Sequence, residues 1–449
     1  MRSKRLLTLF AVFWVSLLTG VMAHAAPRVT IRAELASPVV LENTQDANYL
    51  KVSLQGLPLE AGKRSPINLA LVIDRSSSMS GDRIARARDA AIMAVNMLQS
   101  DDILSIVAYD SSVEVVVPAT RVQDKRQLIA LINEKVTPRG MTALFAGLSK
   151  GVDETSRFLD KERINRVILL SDGQANVGPT SIRELSELAR IAAAKGITIT
   201  TVGIGEGYNE DLMTAIAGYS DGNHFFVQHV AQLEGVFAKE FQDVMSVVAQ
   251  DVEVTIHIAH GVKPVRLLGR EGQIDGNTVT VRLNQLYADQ EKYVLLEVLP
   301  AKGAADQKLD LAQVDVKYND LSARRYENQQ QNVRIAYSSS AAAVKAAVVE
   351  DVMVEAAVQQ STLDNERAIQ LIDQGRVDEA RAIMEANASK FSAWAPQLNS
   401  EQARERIRLN SLSNSRMLDM LSSGDDINTR KALSESNYQL RNQQGGISK

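Results

Sequence analysis

The stretch ALVIDRSSSMSGDRI, Ala70 to Ile84, carries the first decision about fold. An apolar run beginning at Ile67 passes straight into a carboxylate at Asp74 and hydroxyls at Ser76 and Ser78. A short continuous apolar run bounded by polar residues reads as a strand buried on both faces. The same form recurs in DILSIVAY (102–109), RVILLSD (166–172) and GITITTVGIG (196–205). Between these runs lie helical patterns over 83–98, 124–133, 143–158 and 181–194. Buried strands alternating with amphipathic helices specify a mostly parallel sheet covered on both sides, a doubly wound α/β fold, expected over residues 65–247.

The flanks have a different period. Val29, Ile31, Ala33 and Leu35 alternate with Thr30, Arg32 and Glu34, and Leu50, Val52 and Leu54 repeat the pattern. The alternation returns at Val252, Val254, Ile256 and Ile258, at Val279, Val281 and Leu283, and further strands are expected in KYVLLEVL (292–299) and VDVKY (314–318). Period two marks half-buried antiparallel strands. The N-terminal strands are too few to bury a face alone. Residues 26–60 and 250–336 are therefore expected to form one non-contiguous β-sandwich, with the α/β domain inserted between its two parts.

A helical, polar region is expected over 339–440. TLDNERAIQLIDQGRVDEARAIMEANASKF reads as a helical hairpin, with Gly375 suited to a left-handed helix stop and Asp378 and Glu379 in the next first turn. It looks like a single tetratricopeptide-type unit, which cannot bury its own face and so must pack on the rest of the chain or on a partner. The tail SNYQLRNQQGGISK is polar and expected to be loose.

At the other end, Arg2, Lys4 and Arg5 precede an apolar run from Leu6 to Leu18, and small residues Ala23 and Ala25 follow. This is the layout of a secretory signal peptide over residues 1–25, with the protein exported to the periplasm or beyond. No later stretch is apolar for long enough to span a bilayer. Losing the leader removes three basic residues and no acidic one, so the formal charge moves from −4 to −7. That acidic balance argues against nucleic acid as the main partner. The chain has no cysteine, which excludes disulfides, thiolate metal sites and a lipid-modified cysteine anchor.

Ligands of an open α/β sheet bind at the carboxyl ends of its strands. Asp74 ends one strand, Asp172 in LLSDGQAN ends another, and TPRGMTALFAGL places Thr142 in a glycine-containing loop before a helix. Three loops thus offer Asp74, Ser76, Ser78, Thr142 and Asp172, all hard oxygen donors that suit Mg²⁺, Mn²⁺ or Ca²⁺. In an extended loop, alternate residues point the same way, so the D-x-S-x-S spacing can aim three side chains at one ion.

These residues carry a resemblance. D-x-S-x-S at Asp74, Ser76 and Ser78, with Thr142 and with Asp172 in SDG, is similar to the metal-ion-dependent adhesion site of von Willebrand factor type A domains, over roughly residues 66–247. The resemblance implies a Rossmann-like α/β fold and a divalent cation, Mg²⁺ first among the choices. It implies direct ligation by Ser76, Ser78 and Thr142, with Asp74 and Asp172 acting mostly through water. It further implies a coordination position completed by an Asp or Glu of a protein partner. The flanking sandwich and helices are similar to those of bacterial exported members, although no sharp motif lies in them.

Other readings of the same residues stay open. Ser76 and Ser78 suit a helix cap near Asp82. A serine hydrolase using either one needs a base, and the mature chain offers only His224, His229, His257 and His260. GIGEG at 203–207 lacks dinucleotide spacing and reads as a turn. Asp110, and Asn209 to Asp211, are explained by turn and cap roles and stay outside the site. The leading expectation is an exported, non-enzymatic adhesion or scaffold protein that captures an acidic group through a divalent cation. The alternative is a structural or assembly factor of the cell envelope, in which the metal only stabilises the fold and the sandwich or helices bind the partner.

Overall fold

A computed structural model describes residues 28–59 and 64–444; the signal-peptide expectation lies outside the described residues. Among the described residues, three strands come first, β1 (Val29–Leu35), β2 (Val39–Leu41) and β3 (Asn48–Gly56). The α/β part follows as β4 (Ile67–Asp74), α1 (Asp82–Met97), β5 (Ile103–Tyr109), β6 (Val113–Arg121), α2 (Lys125–Lys135), α3 (Leu144–Ser156), β7 (Ile164–Ser171), α4 (Ile182–Ala194), β8 (Ile197–Ile204), α5 (Glu210–Tyr219), β9 (His224–Val227) and α6 (Leu233–Met245). Its sheet runs β6-β5-β4-β7-β8-β9, parallel throughout except for β6, which pairs antiparallel with β5. Alternate residues of the continuous apolar strands feed two separate cores. Leu69, Leu71 and Ile73 face α1, α2 and α6, while Ala70 and Val72 face α3, α4 and α5. This is the doubly wound arrangement expected from the unbroken apolar runs.

Strands return as β10 (Val247–Ile258), β11 (Lys263–Leu268), β12 (Gln273–Asp275), β13 (Thr278–Tyr287), β14 (Glu291–Leu299), β15 (Lys308–Asp320) and β16 (Arg325–Ser338). They form two further sheets, ordered β1-β3-β14-β11 and β12-β13-β10-β15-β16-β2. Leu50, Val52 and Leu54 of β3 pack inward with Val252, Val254 and Ile256 of β10 and Val294, Leu296 and Val298 of β14. Gln331 of β16 exchanges hydrogen bonds with the backbone of β1, donating to the Ile31 carbonyl (2.7 Å) and accepting from the Ala33 amide (2.8 Å). A glutamine amide carries the same donor and acceptor as a peptide, so it pairs with a strand edge as a backbone would.

Helices α7 (Ala341–Ala346), α8 (Glu350–Asp373), α9 (Val377–Trp394), α10 (Glu401–Ser422) and α11 (Asp426–Asn442) follow. Gly375 lies at φ +72° between α8 and α9, the left-handed stop read from the sequence. One side of α8 covers the outer face of β14: Val352 and Ala356 pack on Tyr293 and Leu295. That explains the continuous apolar run of β14, whose two faces belong to two cores.

The centre of the helical layer is polar. Asn365, Asn387, Asn414 and Asn437, one from each of α8, α9, α10 and α11, are all buried. The Asn365 amide approaches Asn437 Oδ1 at 3.2 Å and Asn414 Oδ1 at 3.5 Å, and Asn387 Nδ2 approaches Asn365 Oδ1 at 3.5 Å. Apolar clusters flank this ring, Leu371, Met384, Met417 and Leu433 in one and Val358, Phe391 and Ile407 in the other.

The expectation of a loose tail is corrected for residues 436–444; residues 445–449 lie outside the described residues. Ser436 to Asn442 belong to α11, which closes the open edge of β9 with side chains. Glu435 accepts from the Phe226 amide (2.9 Å), Gln444 accepts from the His224 amide (3.2 Å), and the Tyr438 hydroxyl donates to the Gly222 carbonyl (2.6 Å). Polar residues that would leave a free tail solvated are here the partners of an unpaired strand edge.

Candidate metal-binding site at the carboxyl edge of the sheet

Asp74 closes β4 and is fully buried. Its Oδ1 accepts from the Ser76 amide (2.8 Å) and its Oδ2 from the Ser171 hydroxyl (2.7 Å), so the strand end and the start of the loop are held by one carboxylate. Burial pushes its carboxyl up to about 6, against the pull of the Ser76 and Ser171 hydrogen bonds. A carboxylate left this far from water favours a nearby positive charge.

The loop after Asp74 departs from the extended geometry expected for D-x-S-x-S. Ser77 to Met79 form one turn of 3₁₀ helix, preceded by an extended Ser76 at ψ 165°. Ser76 and Ser78 still converge, because they stand on either side of the turn's start, and their hydroxyl oxygens lie 2.9 Å apart. Ser78 then donates to Asp172 Oδ1 at 2.8 Å. Helix α1 begins after Gly81 with no side-chain cap, so neither serine is occupied in capping it.

Thr142 arrives from a loop laced into both neighbours. Its amide donates to Asn176 Oδ1 (2.8 Å), and its carbonyl accepts from the Asn176 amide (3.1 Å). Gly173 lies beneath the hydroxyls: a Cβ at this position would stand 3.5 Å from Thr142 Oγ1 and 3.6 Å from Ser78 Oγ. The five expected residues therefore share one cradle, with Asp74 turned partly toward Ser171.

Three residues that sequence reasoning left aside also build this edge. Arg75, fully buried, donates from Nε to Asp110 Oδ2 (2.8 Å) and from Nη1 to Glu114 Oε2 (2.8 Å) and the Lys135 carbonyl (2.9 Å). Asp110 also accepts from Arg139 Nε (2.9 Å), and its carbonyl receives the Ala143 amide (2.8 Å). Against the push of burial, the Arg139, Ser112 and Arg75 hydrogen bonds bring the Asp110 carboxyl down to about 2. This cluster fixes the Thr142 loop against the Ser76 loop, through Ser77 N to Gly140 O (3.0 Å) and Arg139 N to Arg75 O (2.7 Å). Its only sequence signal is an arginine immediately after Asp74. The third residue, Arg83 of α1, donates from Nη1 to Asp172 Oδ2 at 2.6 Å and to the Ser78 carbonyl at 3.2 Å.

The donor set fits a small hard cation: three hydroxyls and two buried carboxylates, with no nitrogen or sulfur ligand. Among the described residues, no group of three or more His, Cys, Asp or Glu side chains is arranged to hold a metal, so a site here draws on hydroxyls. His224 is buried beside Thr201, with burial and Lys431 holding its imidazole down to about 3, and His257 sits on the sandwich near Asp315. No helix among the described residues is long and apolar enough to cross a membrane.

Comparison with known proteins bears on the fold. The profile of the von Willebrand factor type A domain matches residues 68–239. A protein of the cyanobacterium Synechocystis sp., sll0103, is 27% identical over 281 residues, which span 60% of this chain and 66% of that relative. Among solved structures, a von Willebrand factor type A protein of Catenulispora acidiphila superposes with TM-score 0.67 at 16% identity, covering 88% of this chain and 89% of that one. The ArnB paralog VWA2 of Sulfolobus acidocaldarius superposes with TM-score 0.61 at 16% identity, covering 92% and 98%. At such identity these two likenesses concern the fold, and they extend through the sandwich and helices as well as the α/β part.

Proposed function

From the premise that residues 68–239 are a von Willebrand factor type A domain, we propose that the chain captures an acidic group on a protein partner through a divalent cation at the β4 and β7 edge. The family is generally one of protein–protein interaction and adhesion. The observation that carries the metal-dependent reading is the contact chain from Ser76 to Ser78 (2.9 Å) to Asp172 (2.8 Å), beside a second buried carboxylate at Asp74. Ser76, Ser78 and Thr142 are the proposed direct ligands of Mg²⁺, with Mn²⁺ or Ca²⁺ as substitutes, and Asp74 and Asp172 the proposed supporting carboxylates. Neutral hydroxyls leave such an ion under-neutralised, and a carboxylate from outside the chain supplies the missing charge. The reading is of a binding protein and not an enzyme.

Titrating Mg²⁺ or Mn²⁺ into chelator-treated protein is expected to raise Tm. A ligand held only by the folded state stabilises it by about 2.7 kcal/mol at a hundredfold excess over Kd. Asp172→Asn keeps an oxygen acceptor for Ser78 and removes the charge, and is expected to abolish the rise. A wild-type Tm that ignores both ions sinks the reading. Crosslinking capture from envelope extracts, with and without chelator, then separates metal-dependent capture from a purely structural role of the ion.

Two further parts of the proposal are the division of the chain and its location. Residues 26–60 with 250–336 form the sandwich unit, 65–247 the inserted α/β unit and 339–440 the helical unit. The chain is exported by cleavage after Ala25, so N-terminal sequencing of the mature protein is expected to begin at Ala26. A mature chain that retains Arg2 to Arg5 contradicts export by this route.

A further inference from the structure

The loop GEGYN, 205–209, joins β8 to α5 and has two unlike faces. Its glycines lie against the metal edge. A Cβ at Gly205 would stand 3.1 Å from Arg83 Nη2, and one at Gly207 would stand 2.9 Å from the Asp172 carbonyl oxygen. The residues between and after them are held by α11. Asn428 donates to Glu206 Oε1 (2.9 Å), and the buried Lys431 ammonium donates to the Tyr208 carbonyl (2.9 Å), lies over the Tyr208 ring and pairs with Glu210. One residue along, Arg430 bridges Glu210 (2.6 Å), Asp211 (2.8 Å) and Asp373 of α8. The loop therefore touches Asp172 and its arginine partner on one side and the C-terminal helix on the other, residue by residue in alternation.

We propose that docking of α11 and occupancy of the metal edge are coupled through residues 205–208, so that each favours the other. This rests on the reading above that the edge binds a cation. The distance at Gly207 is shorter than a real Cβ contact, so the loop backbone sits on the Asp172 backbone with no intervening side chain to absorb a displacement. Lifting α11 removes the Asn428 partner of Glu206 and the Lys431 partner of the Tyr208 carbonyl. It so loosens the backbone that rests on Asp172 and Arg83, although the Tyr208 ring stays in the α/β core beside His224. Binding energies linked in this way are reciprocal: what α11 does for the cation, the cation does for α11.

The test uses the full-length protein and two variants. Asn428→Asp sets a carboxylate against Glu206, and Glu206→Ala removes the contact from the loop side without touching α11. In metal-free protein both are expected to speed amide exchange at least threefold, at 205–209 and also at 78–83 and 172–173. Both are expected to weaken Mn²⁺ binding about fivefold in calorimetry, and saturating Mn²⁺ is expected to slow exchange across 428–442 in the wild type. Faster exchange confined to 205–209, with Mn²⁺ affinity unchanged, overturns the coupling. If wild-type protein binds no Mn²⁺, the metal reading fails on its own. The metal-free exchange at 78–83 and 172–173 then still decides whether α11 controls the edge.

Discussion

Arg166→Met is expected to lower the unfolding free energy by about 3–5 kcal/mol, the range for breaking a buried charge pair from one side. Arg166 belongs to β7, yet its guanidinium reaches the sandwich. It donates to Thr200 Oγ1 (3.0 Å) within the α/β sheet, and to Gln285 Oε1 (2.7 Å) and the Tyr287 hydroxyl (2.9 Å) on β13. Glu240 of α6 completes the set, 3.3 Å from Nη1, and also accepts from Thr200 and Asn223. Burial pushes the Glu240 carboxyl up, against the pull of Arg166 and Thr200, so losing the arginine leaves a carboxylate with no cation in a dry place. Two consequences separate this from ordinary core damage. Adding Glu240→Gln to Arg166→Met should recover a large part of the loss. The single variant's urea transition should also split, because the group joining β7 to β13 is gone. A single, barely shifted transition contradicts this account.

Glu435→Gln is expected to stabilise the protein by about 2 kcal/mol at pH 8 and hardly at all at pH 5. Burial pushes the Glu435 carboxyl from its ordinary 4.5 up to about 7, against the pull of the Phe226 amide. A carboxyl raised on folding contributes stability that is complete below the unfolded value and is lost as pH climbs through the folded one. Above pH 7 the wild type therefore holds a poorly solvated charge between α11 and the β9 edge, whereas glutamine keeps the acceptor for Phe226 N–H without that charge. A full conversion of the shift gives about 3 kcal/mol; the residue's small remaining contact with solvent reduces it. The nearby groups are Gln439, which donates to Glu435 at 3.2 Å, Tyr208, and Lys431 with the neutral His224. His224 works with the opposite sign, losing stability as pH falls below 6.5, but it is common to both proteins and cancels in the difference. Urea midpoints at the two pH values decide the matter; an equal difference at both denies Glu435 its raised value.

Much of the fold was legible because burial on two faces leaves a plain trace. INLALVID and RVILLSD read as central strands, and β4 and β7 occupy those positions. The positions of Asp74, Ser76, Ser78 and Asp172 were legible for a related reason: hydroxyls and carboxylates at or directly after the ends of such strands stand at the sheet's carboxyl edge by topology alone. Thr142 lies between α2 and α3 and was placed only by the resemblance. What escaped is polar and long-range. Arg75, Asp110 and Arg83 act through partners as far as 89 positions away, and nothing in local spacing announces an arginine that serves a distant carboxylate. Strand β6 escaped because it is an antiparallel edge with Pro118 inside it, and period reading demotes such a run. The tail escaped because Tyr438 and Gln444 look solvated in sequence, whereas in the fold they supply what the β9 edge lacks.

The ring of four asparagines sets a rule for how the helical layer can change in length. One residue advances an α-helix by about 100°, so a single insertion upstream of Asn365 within α8 swings its amide out of the ring. The same holds for Asn387, Asn414 and Asn437, and each displaced amide enters one of the flanking apolar clusters without a partner. Additions of about seven residues restore the angle but move the amide along the axis by about 10 Å, beyond its neighbours. Length variation among chains that keep this ring is therefore confined to the connections at 374–376, 395–400 and 423–425, where a change leaves all four phases intact.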